Sequence, residues 1–206
     1  MRDTVVTGDD VRAAAATVLG TFAPHVAADW TVRAGRLKWS CGATLAHVSD
    51  CVLWYGLNLA GRTTGPDAWD WADAPADKVA GVLSIIGPAS ELLAAAVEVA
   101  PAGVRGWHPF GMADASGFAA MACDELLVHG GDIAAGLGLE FQAPGDVCDR
   151  VLRRLFPWAP AEGESWQRLQ WANGRVDLPG ASRVSPRWMW HCAPLAEWDG
   201  ATIPHA

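Results

Sequence analysis

Strand-like alternation of apolar and polar residues is almost absent from this chain and no repeat period is visible, so helices are the expected building material. No apolar run approaches the roughly 18 to 20 residues needed to span a bilayer, and no apolar signal-peptide core follows Met1-Arg-Asp-Thr. The expectation is a soluble, cytoplasmic protein with no membrane partner. Cys-x-x-Cys pairs are missing as well. The five cysteines (Cys41, Cys51, Cys123, Cys148, Cys192) are odd in number and widely spaced, which argues against a disulfide framework or a zinc ribbon. They read as buried thiols, with a reactive Cys51 or Cys123 as the sharper alternative. Basic residues are scarce: 15 Lys and Arg against 23 Asp and Glu leave a net charge of -8, the wrong sign for a phosphate backbone. The only Arg-dense stretch, Arg150, Arg153 and Arg154, reads as a solvated helix face, and nucleic acid is excluded as a partner.

What the chain has is apolar material. With 51% hydrophobic and 18% charged residues over 206 positions, it can offset the entropy of ordering and bury a substantial core. Thr7-Gly8-Asp9-Asp10 marks a helix start, with an Ala-rich run to about Ala28 that Pro24 interrupts. Ser40 caps a second helix running to Ala60, stopped by Gly61. Pro75 suits a helix start, and 77–99 is helical in pattern, with Gly87-Pro88 forcing a kink or break. Residues 101–112 read as a loop. Asp114 or Ser116 caps the longest helix, which ends at Leu137 before Gly138, and Pro144-Gly145-Asp146 opens a shorter one to about Phe156. The expected fold is all-α: a bundle of four or more helices over 1–157, and an irregular, Trp-rich tail over 158–206 with one helix near 165–172. Five of the twelve tryptophans lie after residue 160, and so much aromatic area is better packed on the bundle than left to solvent.

One helix carries the candidate chemistry. From Phe118 to Ile133 apolar residues surround the axis on most faces, which marks a central, buried helix whose polar residues need partners. Glu125 and His129, four apart, lie on one face, the spacing that lets two ligands share one metal. A metal ion removes the cost of a buried, unpaired carboxylate. His47, amid Leu45, Ala46 and Val48 on another helix, completes a two-histidine, one-carboxylate set of the kind bundle cores build from facing helices. The plainer reading pairs Glu125 with an Arg or Lys and His47 with a backbone carbonyl. Asp50 and Asp132, each three residues after a histidine, are the candidate catalytic carboxylates, as acceptors that orient the imidazoles or as a general base. His25, His108, His191 and His205 have no partner at helical spacing and read as loop or surface residues.

These residues carry a resemblance. Trp39-Ser-Cys-Gly-Ala-Thr-Leu-Ala-His47-Val-Ser-Asp50 resembles the Trp-x-x-x-x-x-Leu-x-His-x-x-Asp segment of the mycothiol-dependent maleylpyruvate isomerase N-terminal domain, a branch of the DinB-like helical bundles. Asp124-Glu125-Leu-Leu-Val-His129-Gly130-Gly-Asp132 is similar to that family's Glu-x-x-x-His-Gly-x-Asp segment. The likeness spans about residues 10 to 140. It implies a DinB-like four-helix bundle with a zinc ion on His47, Glu125 and His129. The family's Trp after His-Gly is Gly131 here, and its separate C-terminal domain is not evident in the short tail. Trp188-Met-Trp-His-Cys192 either folds over the metal or packs on the bundle.

Three protein ligands leave a coordination position open, as in catalytic zinc sites. A low-molecular-weight thiol such as mycothiol there would be activated for attack on an electrophilic small molecule, giving thiol transfer or isomerisation; a water there would give a hydrolase. The rival from another class is a non-catalytic bundle that binds a metal or small molecule. Two imidazoles and a carboxylate suit zinc first, with nickel and iron as alternatives. The surplus of apolar residues and tryptophans serves a homodimer face or the core alone.

Overall fold

A computed structural model of the chain describes residues 5–65, 78–181, 184 and 190–200. Among the described residues the protein is mostly helical, with six α-helices and one small hairpin. Helix α1 (Gly8–Phe22) starts with a capping box in which the Asp10 carboxylate accepts the Thr7 backbone N–H at 2.9 Å. It ends earlier than Ala28 because Pro24 converts the chain to a 3₁₀ turn over Ala23–His25. Ser40 caps α2 (Cys41–Gly61) by accepting the Ala43 N–H at 3.1 Å. The stop falls on Arg62, at φ 51, rather than on Gly61, which stays helical.

Helix α3 (Val79–Val99) runs through Pro88 without a break. Ser84 and Pro88 both face outward, so the carbonyl that a proline leaves unpaired faces water. The expected start at Pro75 or Asp77 lies outside the described residues. By length and hydropathy α3 could cross a membrane, contrary to the expectation from the sequence, where Ser84, Pro88 and Glu91 interrupt the apolar run; less than half of its most apolar stretch is buried. Residues 101–112 are not all loop: β1 (Gly106–His108) and β2 (Gly111–Ala113) pair antiparallel, Trp107 opposite Met112. Three-residue strands are too short to show an alternation.

Asp114 caps α4 (Ala115–Leu137), accepting the Gly117 N–H at 2.8 Å, and Gly138 ends it at φ 68. The Ser116 hydroxyl instead accepts the Val6 N–H. Helix α4 is buried nearly all round, as its composition requires. Helix α1 packs on α3, α3 on α2, α2 on α4, and α4 back on α1. Gly136 permits part of this closeness: a Cβ there would stand 2.2 Å from the Arg33 carbonyl oxygen, so the 33–40 segment lies directly on α4.

The tail contributes to the core. Helix α5 (Gly145–Leu155) rests on α4, and α6 (Ser165–Ala172), capped by Glu164, rests on α5. Trp166, Trp171 and Trp190 are buried, while Trp188 lies outside the described residues. The arginines of α5 do not form one solvated face. Only Arg153 is exposed; Arg150 bonds Asp10 and Asp146, and Arg154, 2% exposed, bonds Asp114 and the carbonyls of His191 and Cys192. Burial of a guanidinium is tolerable when its donors all meet acceptors, and these acceptors come from segments distant in the chain.

Candidate metal centre

Helices α2 and α4 face one another, and this packing sets His47 opposite Glu125 and His129. One ligand atom from each of the three lies within 4.8 Å of the other two. Glu125 Oε2 stands 3.5 Å from His47 Nε2 and 3.2 Å from His129 Nε2. For a tetrahedral zinc ion with ordinary bond lengths, neighbouring nitrogen and oxygen donors are separated by about 3.3 Å. The two edges from Glu125 to the imidazoles are therefore spaced as donors of one small cation would be, and the third lies within 4.8 Å.

The carboxylate supplies a second observation. Glu125 is 9% exposed, and its Oε2 is buried with no hydrogen-bond partner, its near neighbours being the His47 and His129 imidazole nitrogens. A buried carboxylate oxygen without a donor costs several kcal/mol on the order of other unpaired charges, and a cation at that point removes the cost. The other oxygen, Oε1, accepts the Tyr55 hydroxyl at 3.4 Å. Burial opposes the Glu125 anion, but the two imidazoles outweigh it and hold the carboxyl well below its usual range.

Asp132 fixes His129. Its Oδ2 lies 3.1 Å from His129 Nδ1, and an ionised carboxylate can only accept, so Nδ1 carries a proton, and Nε2 is the nitrogen that faces Glu125 and would serve a metal once its own proton is displaced. Burial works against the Asp132 anion, but His129 and Arg175 outweigh it, the latter donating to Oδ2 at 2.8 Å. Burial likewise disfavours the His129 imidazolium; hydrogen bonding to Asp132 and the charge of Glu125 more than offset this and raise the imidazole to about 9 without a metal. Asp50 does not do the same for His47: no hydrogen bond joins them, and burial raises the Asp50 carboxyl against the opposing pull of His47. Of the two candidate catalytic carboxylates, only Asp132 reaches its histidine.

His47 is the accessible side of the cluster, with about a third of its side chain exposed and the exposed Trp39 ring 4.9 Å away. Cys51 Sγ lies 3.6 Å from His47 Nε2 and 3.8 Å from Nδ1. Its thiol is raised by burial and by the Glu125 charge, so it is not an ionised nucleophile at neutral pH. Unlike the other four cysteines, Cys51 is only half-buried. On α2, His47, Cys51 and Tyr55 form one stripe at four-residue spacing. That period is legible in the sequence and would have brought Cys51 and Tyr55 to the site.

Beyond Asp132 a cleft of 580 Å³ opens between the 35–37 segment, α4 and the turn after α6. Arg36, Gln170 and Arg175 give it polar lining, and Leu37, Val176 and Val184 apolar lining. Gly131, where the resembled family has Trp, lies on its wall, and the space a Cβ there would enter is held by the Trp166 ring, 2.9 Å away. Arg175 reaches Asp132 from far along the chain, and no local signal marks it.

His108 is not a surface residue: it is 7% exposed among Trp54, Tyr55, Phe110 and Trp190, and burial lowers it to about 4. Its short strand passes over α2, which a reading by helical spacing cannot register. His25 is exposed; His191 is half-buried with Nε2 donating to the Pro194 carbonyl; His205 lies outside the described residues. Within Trp188–Cys192, residues 190–192 are described, and Trp190 packs against His108 and donates to Asp124 at 3.0 Å. Asp124, pushed up to about 7 by burial and the adjoining Glu125 charge, also accepts the Asn173 amide.

Fold and site together define a mostly helical protein with a buried two-histidine, one-carboxylate cluster that could hold a metal ion. No protein-family model, curated protein or solved structure matches the chain significantly.

Proposed function

We propose that the chain is a DinB-like four-helix bundle that holds one divalent cation on His47, Glu125 and His129, and that it is a thiol transferase or isomerase-like enzyme. Its second reactant would be a low-molecular-weight thiol such as mycothiol, and its substrate an electrophilic small molecule. The observation that carries the metal reading is the buried, unpartnered Glu125 Oε2 facing two imidazole nitrogens. The closed circuit of packing from α1 through α3, α2 and α4 supports the bundle, and the two motifs around His47 and Glu125 support the family.

A divalent cation held by these three residues would acidify a coordinated thiol, making it a nucleophile at neutral pH. The chain's own groups do the rest. Asp132 keeps the proton on His129 Nδ1, and Arg175 keeps Asp132 ionised and in place. Tyr55 occupies Glu125 Oε1, which leaves Oε2 for the cation. The half-open side at His47 and Trp39 admits a reactant, and the neighbouring cleft is of a size to receive a small molecule. Zinc is the first choice of ion, with nickel and iron accepted by the same donors.

Elemental mass spectrometry of protein purified without an affinity-metal step, beside His47→Ala and Glu125→Ala, tests the reading. About one equivalent of metal in the wild type, lost in both variants, supports it and justifies assays with thiols and electrophiles. A folded wild type that takes up neither zinc nor nickel would leave a non-catalytic bundle.

A further inference from the structure

We infer that Cys51 is a fourth donor to the ion, its Sγ joining His47, Glu125 and His129. This rests on the metal reading above and goes beyond it, since none of the residues that carry that reading is a sulfur. Cys51 stands one helical turn after His47 on the same stripe of α2, and Tyr55, which bonds Glu125, stands one turn further. Its Sγ is 3.6 Å from His47 Nε2, the separation of about 3.6 Å expected between a sulfur and a nitrogen on one tetrahedral zinc ion. The sulfur also lies 3.8 Å from Nδ1 and stands outside the three-donor group, so ligation requires the Cys51 side chain to move. The sign of a ligand apart from the cysteine is the unpartnered Glu125 Oε2, which also carries the metal reading.

A sulfur donor has consequences for the ion and for the reaction. Thiolate selects zinc over iron, which two imidazoles and a carboxylate alone do not. On ligation the S–H bond gives way to an S–metal bond and the proton leaves to solvent. With all four donors engaged, an incoming thiol would have to take the place of Cys51: one thiolate would replace another, and the proton of the incoming thiol would pass to Cys51 Sγ with no change of oxidation state.

Cobalt(II) substitution reads this directly. The full-length protein is stripped of metal, loaded with cobalt in thiol-free buffer and scanned for the near-ultraviolet thiolate-to-cobalt charge-transfer band, beside Cys51→Ser and Cys51→Ala. The expected result is one equivalent of cobalt with the band in the wild type, and no band in either variant. Cobalt affinity in the variants should fall at least as far as the roughly 10–100-fold that follows loss of an outer partner. Cobalt bound without the band, or a band that survives in Cys51→Ala, overturns the role of Cys51 and leaves the three-donor centre standing. No cobalt bound by folded wild type overturns the metal reading itself, and this inference with it. Circular dichroism of both variants separates loss of the ligand from loss of the fold.

Discussion

Trp190 donates its indole N–H to the Asp124 carboxylate at 3.0 Å, and Asn173 donates its side-chain amide to the other oxygen of the same carboxylate at 2.9 Å. Two residues of the C-terminal segment thus meet the buried residue that precedes Glu125. Trp190→Phe keeps most of the ring and removes the donor. It should cost about 1–3 kcal/mol in denaturant unfolding, the range for leaving a buried acceptor short of a partner. Unchanged stability would mean that this hydrogen bond contributes nothing net and that Trp190 is held by its other contacts.

Asp132→Asn tests the support of His129. The amide is isosteric but uncharged, so it no longer holds the Nδ1 proton as a carboxylate does, and Arg175 loses its ion-pair partner. Metal affinity, measured by competition with a chromophoric chelator, should fall roughly 10–100-fold while the fold is retained. Asp50→Asn, at a residue with no hydrogen bond to His47, should change it far less.

His108 gives the native state a definite pH response. Burial depresses its imidazole from 6.5 to about 4, so the unfolded chain takes up this proton while the folded chain resists it. The stability tied to neutral His108 is present above about pH 6.5 and is lost as pH falls from there toward 4, with a slope of at most roughly 1.4 kcal/mol per pH unit. His108→Asn can still accept the Phe110 N–H that Nδ1 now accepts. Unfolding free energies between pH 7 and 4 should fall less steeply for the variant; parallel curves would show that His108 titrates normally.

Gly136→Ala places a methyl group 2.2 Å from the Arg33 carbonyl and 2.6 Å from Cys41 Sγ. Neither neighbour is the free end of a flexible chain. We expect about 1–3 kcal/mol of destabilisation by thermal melting, as for overpacked cores. Because the displaced segment leads into Trp39 and α2, metal affinity should fall together with the melting temperature. A variant as stable as the wild type would show that the 33–40 segment moves aside at little cost.

Local chemistry accounts for most of what could be read ahead of the structure. Ser40, Asp114 and Gly138 bound their helices because capping depends on neighbours two or three residues away. Glu125 and His129 share a face because four residues nearly complete one turn. The apolar girdle of α4 required a central helix, and the structure has one.

The rest depends on which segments meet. No local rule joins His47 to Glu125 and His129; the packing of α2 on α4 brings the three donor atoms together. Helical spacing puts Arg154 on the surface, whereas its three acceptors come from Asp114, His191 and Cys192 and bury it. The burial of His108 comes from rings on α2 and near the C-terminus, which its own neighbours in the chain do not signal. Sequence spacing by itself determined helix limits, caps and the Glu125–His129 pair, since those interactions span a single turn. Only the tertiary structure decided the Arg175 hold on Asp132, the hidden guanidinium of Arg154 and the orphaned oxygen of Glu125, because burial and long-range partners are properties of the packed chain.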